Sequence, residues 1–202
     1  MSWRNKMGDN QEANQILQIH YRKQFLQAVH ERRLSDAIAY FTQLKQVSSE
    51  EMLLEEAIYN MAGLCYYQMG IWQEARACFL LSHKINDSEE NKASNYLKVL
   101  TTEEIERFKQ MRNQVLEAMT IKDYKKAAKL LRQSKKIEET VQGDLLLGLC
   151  QYARKRKESA LICFKNALEK DASNHTAIHL IRSLQIKDKG IGYLLWKTIM
   201  NY

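Results

Sequence analysis

The chain has 202 residues, no proline, seven glycines and a formal net charge of +7. Turns between strands favour glycine and proline, so this composition predicts an all-α protein and excludes a strand-rich one. No run of 18 apolar residues occurs, and the first fifteen residues have no apolar core. We therefore expect neither a transmembrane helix nor a secretory signal.

The excess positive charge lies in the second half of the sequence. Residues 1–100 carry 11 Lys+Arg and 12 Asp+Glu, whereas residues 101–202 carry 20 and 12. Such asymmetry is typical of a surface that meets an acidic partner, nucleic acid or a membrane surface. The four cysteines, without a secretory context, are expected to be reduced and buried, which favours a cytoplasmic location.

In the segment GLCYYQMGIWQEARACF (63–79), small and aromatic residues recur at intervals of three and four, which is one face of a helix. Gly70 divides the segment at the point where one helix is expected to end and the chain to turn. The segment therefore predicts two antiparallel helices. Gly63 and Ala75 allow a close crossing of these helices, and Phe79 fills the remaining space.

The second half of the sequence repeats the first. The segment GLCQYARKRKESALICF (148–164) matches 63–79 at seven of seventeen positions, at an offset of 85. Two further pairs of segments align in the same way: 21–41 with 111–131 at an offset of 90, and 86–100 with 170–184 at an offset of 84. These alignments predict a duplicated chain.

The duplication divides the chain into four regions. We predict an N-terminal tail (1–13), a first half (14–100), a second half (101–184) and a C-terminal tail (185–202). Each half is expected to contain two helical hairpins and one capping helix. Thr101 and Thr102, followed by Glu103 and Glu104, offer an N-cap and a negatively charged first turn where the second half begins.

The repeated segment resembles the tetratricopeptide repeat, whose pattern combines Leu-Gly, an aromatic three residues after the Gly, then alanine and a second aromatic. The matching residues are Tyr59, Ala62, Gly63, Tyr66, Gly70, Ala75 and Phe79 in the first copy, and Leu147, Gly148, Ala160, Phe164 and Ala167 in the second. The second copy has Gln151 in place of the first aromatic, and both copies lack the closing proline. The resemblance implies a right-handed solenoid of about four helical hairpins plus capping helices, with a concave surface for a protein partner.

The resemblance also implies which residues line the concave groove, because the first helix of each hairpin faces it in this family. The implied groove positions are Arg22, Leu26, Val29, Asn60, Leu64, Tyr67, Arg112, Leu116, Met119, Leu145, Leu149 and Tyr152. Leucine replaces the central asparagine with which some family members grip a C-terminal carboxylate, so an apolar groove is expected instead. The expected function is a non-catalytic adaptor, or a chaperone-like protein, that binds a peptide or helix of a partner protein. The alternative is that these leucines are covered within the chain.

A second candidate surface is a basic edge formed by turns of the second half. It consists of Lys122, Lys125, Lys126, Arg154, Lys155, Arg156 and Lys157. These cations are either solvated turn residues or a contact surface for an acidic protein, nucleic acid or anionic lipid. Nucleic acid is not the expected partner, because no known nucleic-acid-binding motif accompanies them.

The C-terminal tail contains an apolar cluster of Tyr193, Leu194, Leu195, Trp196 and Met200. Three roles are open for it: it caps the last hairpin, lies in the groove, or mediates self-association into a homo-oligomer.

The sequence contains no recognisable catalytic or cofactor-binding motif. The sequence has no phosphate-cradling glycine loop and no nucleophile elbow, so we expect neither an enzyme nor a cofactor. His175 and His179 are four residues apart, with Asp171 four residues before, which would place a metal pair on one helix face. No further ligand residue is near them in sequence, and no metal site is expected.

Overall fold

The computed structural model describes residues 3–48 and 54–186, with side chains over 12–48 and 54–185. These residues form ten α-helices and no strand, which confirms the all-α prediction. The helices are α1 (Trp3–His30), α2 (Leu34–Val47), α3 (Glu56–Met69), α4 (Trp72–Ile85), α5 (Ala93–Val99), α6 (Glu103–Thr120), α7 (Tyr124–Ser134), α8 (Val141–Ala153), α9 (Lys157–Lys170) and α10 (His175–Ile186). The apolar cluster of the C-terminal tail lies outside the described residues.

The helices pack mainly against their neighbours in sequence. α1 packs against α2, α3 against α4, α6 against α7 and α8 against α9, and each pair is joined by a short turn. α5 packs against α4, and α10 packs against α9, so five helices follow one another in the same order in each half. Contacts of α2 with α3 and of α7 with α8 join successive pairs.

The four turns within these pairs share one backbone conformation. Each contains one residue with a positive φ: Arg32 (56°), Gly70 (87°), Lys122 (62°) and Lys155 (61°). In each turn the N–H of the following residue donates to the carbonyl five residues back, as Ile71 does to Tyr66 at 2.9 Å. This bond is the mark of a Schellman helix ending. The turn predicted at Gly70 is confirmed, and the alignments at offsets of 90 and 85 pair the four positions.

Two glycines allow paired helices to approach closely. A Cβ added at Gly63 would lie 2.5 Å from the ring of Phe79, and one added at Gly148 would overlap the ring of Phe164. Both rings are buried. The close crossing predicted at Gly63 is therefore confirmed, and the same contact recurs in the second half.

Residues of both halves form one large hydrophobic core. Phe25 and Phe41 of the first helix pair belong to the same buried cluster as Leu145, Leu149 and Leu180 of the second half. Burying a leucine or phenylalanine side chain stabilises a fold by about 1.5–3 kcal/mol, so this shared cluster ties the two halves together. A smaller cluster joins Trp72 on α4 to Phe108 on α6, with ring centroids 4.5 Å apart.

The four cysteines are buried free thiols, as predicted. Burial raises the pKa of Cys65 and of Cys150 to about 12, and that of Cys78 to about 11. Burial also raises the pKa of Cys163. Because the thiolate is the reactive form, thiols held protonated at neutral pH are poor nucleophiles and poor metal ligands. These side chains are packing residues.

The helix boundaries partly follow the sequence prediction. α6 begins after Thr102, whose hydroxyl accepts a hydrogen bond from the Ile105 N–H at 3.4 Å, so the predicted N-cap is confirmed. α1 begins at Trp3, and residues 3–13, predicted as a tail, form its first turns. α5 is shorter than the predicted segment 86–100. In the described part of the chain, no helix is both long and apolar enough to cross a membrane.

Candidate partner-binding clefts

The twelve predicted groove residues do not form one continuous open groove. Met119, Leu145 and Leu149 are at most 2% exposed. Arg22 and Leu26 are exposed, and the others are partly buried: Val29, Asn60, Leu64, Tyr67, Arg112, Leu116 and Tyr152. A fully covered side chain cannot contact a partner. Met119, Leu145 and Leu149 are therefore core residues in this structure, which corrects their assignment to an open groove.

α8 loses its predicted groove face because it is covered by other helices. Every residue from Asp144 to Gln151 is buried. α8 packs against α7 and α9 of its own half and also against α3 of the first half. The resemblance to a repeat placed one face of α8 toward a partner, whereas in the structure Leu145 and Leu149 of that face belong to the hydrophobic core.

A buried carboxylate fixes the first helix pair to the last connection. Asp171, 0% exposed, accepts hydrogen bonds from the backbone N–H of Ser35 (3.1 Å) and from its Oγ (2.5 Å). It also accepts bonds from Ser173 and Asn174. The Ala172 N–H donates to the carbonyl of Arg32 at 2.9 Å. Because a buried carboxylate requires several donors, these contacts fix the two ends of the fold relative to each other.

Three polar groove positions are engaged within the chain. Arg22 forms an exposed ion pair with Glu55 at 2.7 Å, and the amide of Asn60 donates to Asn91 at 2.8 Å. The hydroxyl of Tyr67 donates to Glu138 at 2.9 Å. Burial and this bond to Glu138 raise the pKa of Tyr67 above its ordinary value, so the hydroxyl stays a donor at neutral pH. The bond joins α3 to the connection between α7 and α8.

The first open site, here called the α3 cleft, lies where the end of α1 and the middle of α3 meet the second half. Its volume is about 590 Å³. Its apolar wall is formed by Val29, Leu34, Met61 and Leu64. Val29 and Leu64 are predicted groove residues, so this cleft retains part of the expected apolar surface.

The rim of the α3 cleft is rich in charge. Three carboxylates and two cations line it: Glu138, Glu139, Glu169, Arg32 and Lys170. Lys170 is already engaged, at 3.2 Å from Glu139 and 2.7 Å from the buried Asp144. Burial lowers the pKa of Lys170, but its bonds to Asp144 and Glu139 outweigh that effect, and the net pKa is raised. Lys135 pairs with the same two carboxylates, so these four charges balance, and the rim is left with Glu138 and Glu169 against Arg32.

The second open site, here called the α6 cleft, lies between the first turn of α4 and the middle of α6. Its volume is about 610 Å³. Arg76, Lys109 and Arg112 line it together with Leu116 and one carboxylate, Glu74. Arg112 and Leu116 are predicted groove residues. The two clefts thus contain four of the twelve predicted positions, divided between an acidic rim and a basic one.

The predicted basic edge is exposed. Six of its seven residues are exposed and Arg154 is partly buried. Within the described part of the chain, none of the seven makes an ion pair with a carboxylate. Lys125 and Lys126 lie in the first turn of α7, and Lys157 begins α9. Cations at a helix N-terminus oppose the helix dipole and each cost about 0.3–1 kcal/mol.

The residues considered for a metal pair lie in different environments. The carboxylate of Asp171 is enclosed by its serine and asparagine donors, whereas His175 and His179 are exposed. Among the described side chains, no group of three or more His, Cys, Asp or Glu residues is arranged to hold a metal ion.

Several cleft residues gave no local signal in the sequence. Glu138, Glu139 and Glu169 reach the α3 cleft only because the second half packs on α3. Asp144, which lines neither cleft but pairs with the cleft residue Lys170, did carry a signal: it is the single acid in the apolar segment VQGDLLLGLC (141–150). An acid within such a run predicts a buried ion pair, and Asp144, 2% exposed, contacts Lys135 and Lys170.

A scan of protein-family models and a search of curated proteins gave no match to the chain. The resemblance to the tetratricopeptide repeat therefore depends on the residues described above.

Proposed function

We propose that the protein is a non-catalytic, tetratricopeptide-like interaction module whose helix pairs stack into a short right-handed solenoid, with its first pair also joined to the connection after the last pair through Asp171. Two observations support the architecture. The turns of all four helix pairs have the same conformation, and both Gly–Phe contacts fall at the positions of the family pattern. A single helix pair cannot cover its own apolar face, and stacking of successive pairs provides the cover.

The proposed binding site is the α3 cleft, and its ligand is a peptide or helix of a partner protein. The observation that carries this proposal is that Val29 and Leu64, both predicted groove residues, open onto one cleft with an apolar wall. Apolar clefts of this size accept one or two anchoring side chains of a docked helix or extended segment. Because helices on both sides are packed into the core, little ordering is required on binding.

The charges of the rim define the partner further. Because Lys135 and Lys170 together balance Asp144 and Glu139, the carboxylates of Glu138 and Glu169 remain at the opening against a single arginine, Arg32. An apolar anchor flanked by a lysine or arginine complements this rim better than an acidic segment does. The preferred partner segment therefore carries a large apolar residue next to a basic one.

The test is selection of binding peptides from a random display library on the immobilised chain, followed by affinity measurement in solution. Leu64→Glu places a carboxylate in the cleft wall and is expected to abolish binding of the selected peptides. Leu80→Glu is the matched control, because Leu80 is 41% exposed on α4 and lines neither cleft. Equal loss of binding in both variants, or selected peptides without an apolar anchor, would contradict the proposal.

A second candidate function is contact of an acidic protein partner with the basic edge. It is favoured by one observation: Lys125, Lys126 and Lys157 sit at helix N-termini, where a cation is unfavourable for stability. Residues that oppose local stability are expected mainly at functional surfaces. The test is retention of partners at low and high salt after nuclease treatment. Binding through this edge would fall steeply with salt and with Lys155→Glu/Arg156→Glu, and it would be unchanged in Leu64→Glu.

A further inference from the structure

The α6 cleft combines three cations with a single carboxylate. Arg76 comes from α4, whereas Lys109 and Arg112 come from α6, so the positive charge converges from two elements. Lys109 is also paired with Glu106 along its own helix. In the described part of the chain, Arg76 and Arg112 have no carboxylate partner within ion-pair distance. Glu74 alone cannot neutralise both guanidinium groups.

Arg112 is the most constrained of these cations. Its Nε atom is buried and has no hydrogen-bond acceptor among the residues that the structure describes. An arginine offers five N–H donors in a planar fork that matches the oxygens of phosphate or carboxylate. Because Nε itself is covered by the protein, an anion in the cleft can be met only by the terminal Nη groups of this guanidinium, and no carboxylate of the described residues pairs with them.

The other walls of the cleft fit an organic molecule better than a bare ion. Ile71 and Leu116 provide apolar surface, and Gln73, Asn113 and Gln142 provide neutral donors and acceptors. The volume of about 610 Å³ lies within the range of small-molecule sites, roughly 300–1,000 Å³, and greatly exceeds that of one phosphate. The cleft also lies where α4 of the first half meets α6 and α8 of the second, and such junctions are common ligand sites.

We propose that the α6 cleft binds a small phosphorylated organic molecule, with its phosphate held by Arg112, Arg76 and Lys109. A phosphate monoester carries a charge of about −1.5 to −2 at neutral pH and three acceptor oxygens, so a single group matches two otherwise unpaired guanidinium groups. A monocarboxylate supplies only half of that charge. The organic part lies against Ile71 and Leu116. This site is separate from the peptide site proposed in the α3 cleft and does not depend on it.

The test is isothermal titration of the full chain at low ionic strength with ADP, pyrophosphate, citrate and a ten-residue glutamate peptide. ADP is expected to bind with a Kd below about 100 μM, and pyrophosphate more weakly than ADP, because it lacks the organic part. Tightest binding of citrate or of the glutamate peptide would overturn the proposal in favour of a carboxylate site or an acidic protein partner. Lack of measurable binding by either phosphate ligand would also overturn it.

Three variants locate the site. Arg112→Gln and Arg76→Gln are each expected to weaken ADP binding by at least about tenfold, since each removes a charge-assisted donor. Lys125→Gln, which removes the same unit of charge from the basic edge, is expected to change the Kd by less than about twofold. Equal weakening by all three would show non-specific attraction and overturn the assignment. Arg76 is exposed, so its variant remains informative if Arg112→Gln does not fold, and circular dichroism checks both.

Discussion

The two halves of the molecule share their helix order and turn conformation but differ in which equivalent residues they leave open. Leu64 on α3 borders a cleft, whereas Leu149, its equivalent at an offset of 85, is 0% exposed on α8. The charges of the two halves differ as well. Asp36 in the first turn of α2 corresponds to Lys126 in the first turn of α7, at an offset of 90. The repeat thus determines how helices pair, while packing between the halves and local charge determine what each surface can bind.

The largest expected effect on stability comes from making the same substitution at these two leucines. Leu149→Glu places a carboxylate among fully buried apolar side chains and is expected to destabilise the fold by at least about 4 kcal/mol, a large part of the roughly 5–15 kcal/mol that stabilises a native protein. Leu64→Glu leaves the carboxylate at a cleft opening, and we expect a loss of less than about 1.5 kcal/mol. Urea denaturation followed by circular dichroism measures both. Similar losses would show that Leu64 belongs to the core and would remove the α3 cleft as a binding site.

The next largest effect is the pH dependence of the free energy of unfolding that the equivalent cysteines Cys65 and Cys150 produce. The folded thiols of Cys65 and Cys150, with pKa of about 12, keep their protons above pH 9, where unfolded thiols lose theirs. The unfolded state then binds fewer protons, so the free energy of unfolding falls as pH rises from about 9 toward 12. At pH 10.5 each thiol contributes a loss of about 2 kcal/mol, because one pKa unit corresponds to about 1.36 kcal/mol.

The measurement is urea denaturation of the wild type, Cys65→Ala and Cys150→Ala at pH 8.0 and 10.5. Each variant is expected to lose about 2 kcal/mol less than the wild type over that interval. Comparing the change with pH within one protein removes the cost of the substitution itself. A variant with the same pH dependence as the wild type would show that its thiol is accessible to solvent in the folded state.

A smaller effect tests whether the Gly–Phe contact is equally tight in both halves. Gly63→Ala and Gly148→Ala each introduce a Cβ against a buried ring, Phe79 and Phe164 respectively. Overpacking costs about 1–3 kcal/mol, and the better helix propensity of alanine offsets about 1 kcal/mol of that cost. We expect a net loss of about 0–2 kcal/mol for each variant by thermal unfolding. In a Phe79→Leu background Gly63→Ala should become nearly neutral, and persistence of its cost there would assign it to another contact.

How much of the fold can be predicted from the sequence depends on whether a contact joins residues that are near or distant in the chain. The turn at Gly70, the cap at Thr102 and the crossing at Gly63 depend on residues at most 16 positions apart, and periodicity and spacing indicate each of them. The bond between Ser35 and Asp171 joins residues 136 apart, and no local pattern indicates it. The burial of Leu149 is not indicated locally either, since the core cluster that contains it is built from residues of both halves.

The same distinction decides which residues of the candidate sites can be predicted from the sequence. Val29, Leu64, Arg112 and Leu116 are indicated by the resemblance, because a repeat defines which face of its first helix points outward. Their neighbours in the clefts, such as Glu169 and Arg76, belong to other helix pairs and are brought there by the packing of whole pairs. A sequence pattern within one repeat contains no information about that packing. It therefore identified some of the wall of each cleft and one of the three cations of the α6 cleft, but none of the charged residues of the α3 cleft.

The smallest expected effect concerns the turns, where Gly70 and Lys155 occupy equivalent positions with positive φ. A left-handed conformation costs a residue with a Cβ roughly 1 kcal/mol relative to glycine. Lys155→Gly is therefore expected to raise the free energy of unfolding by about 0.5–1 kcal/mol. Gly70→Lys is expected to lower it by at least about 1 kcal/mol, since a Cβ there would also lie 3.1 Å from the hydroxyl of Thr140. Thermal unfolding monitored by calorimetry measures both.

Opposite signs of the two changes would establish that the two turns are conformationally equivalent, and that the lysine is retained at position 155 at some cost in stability. Destabilisation by Lys155→Gly would instead mean that the lysine side chain stabilises its turn, which would weaken the case that the basic edge serves binding.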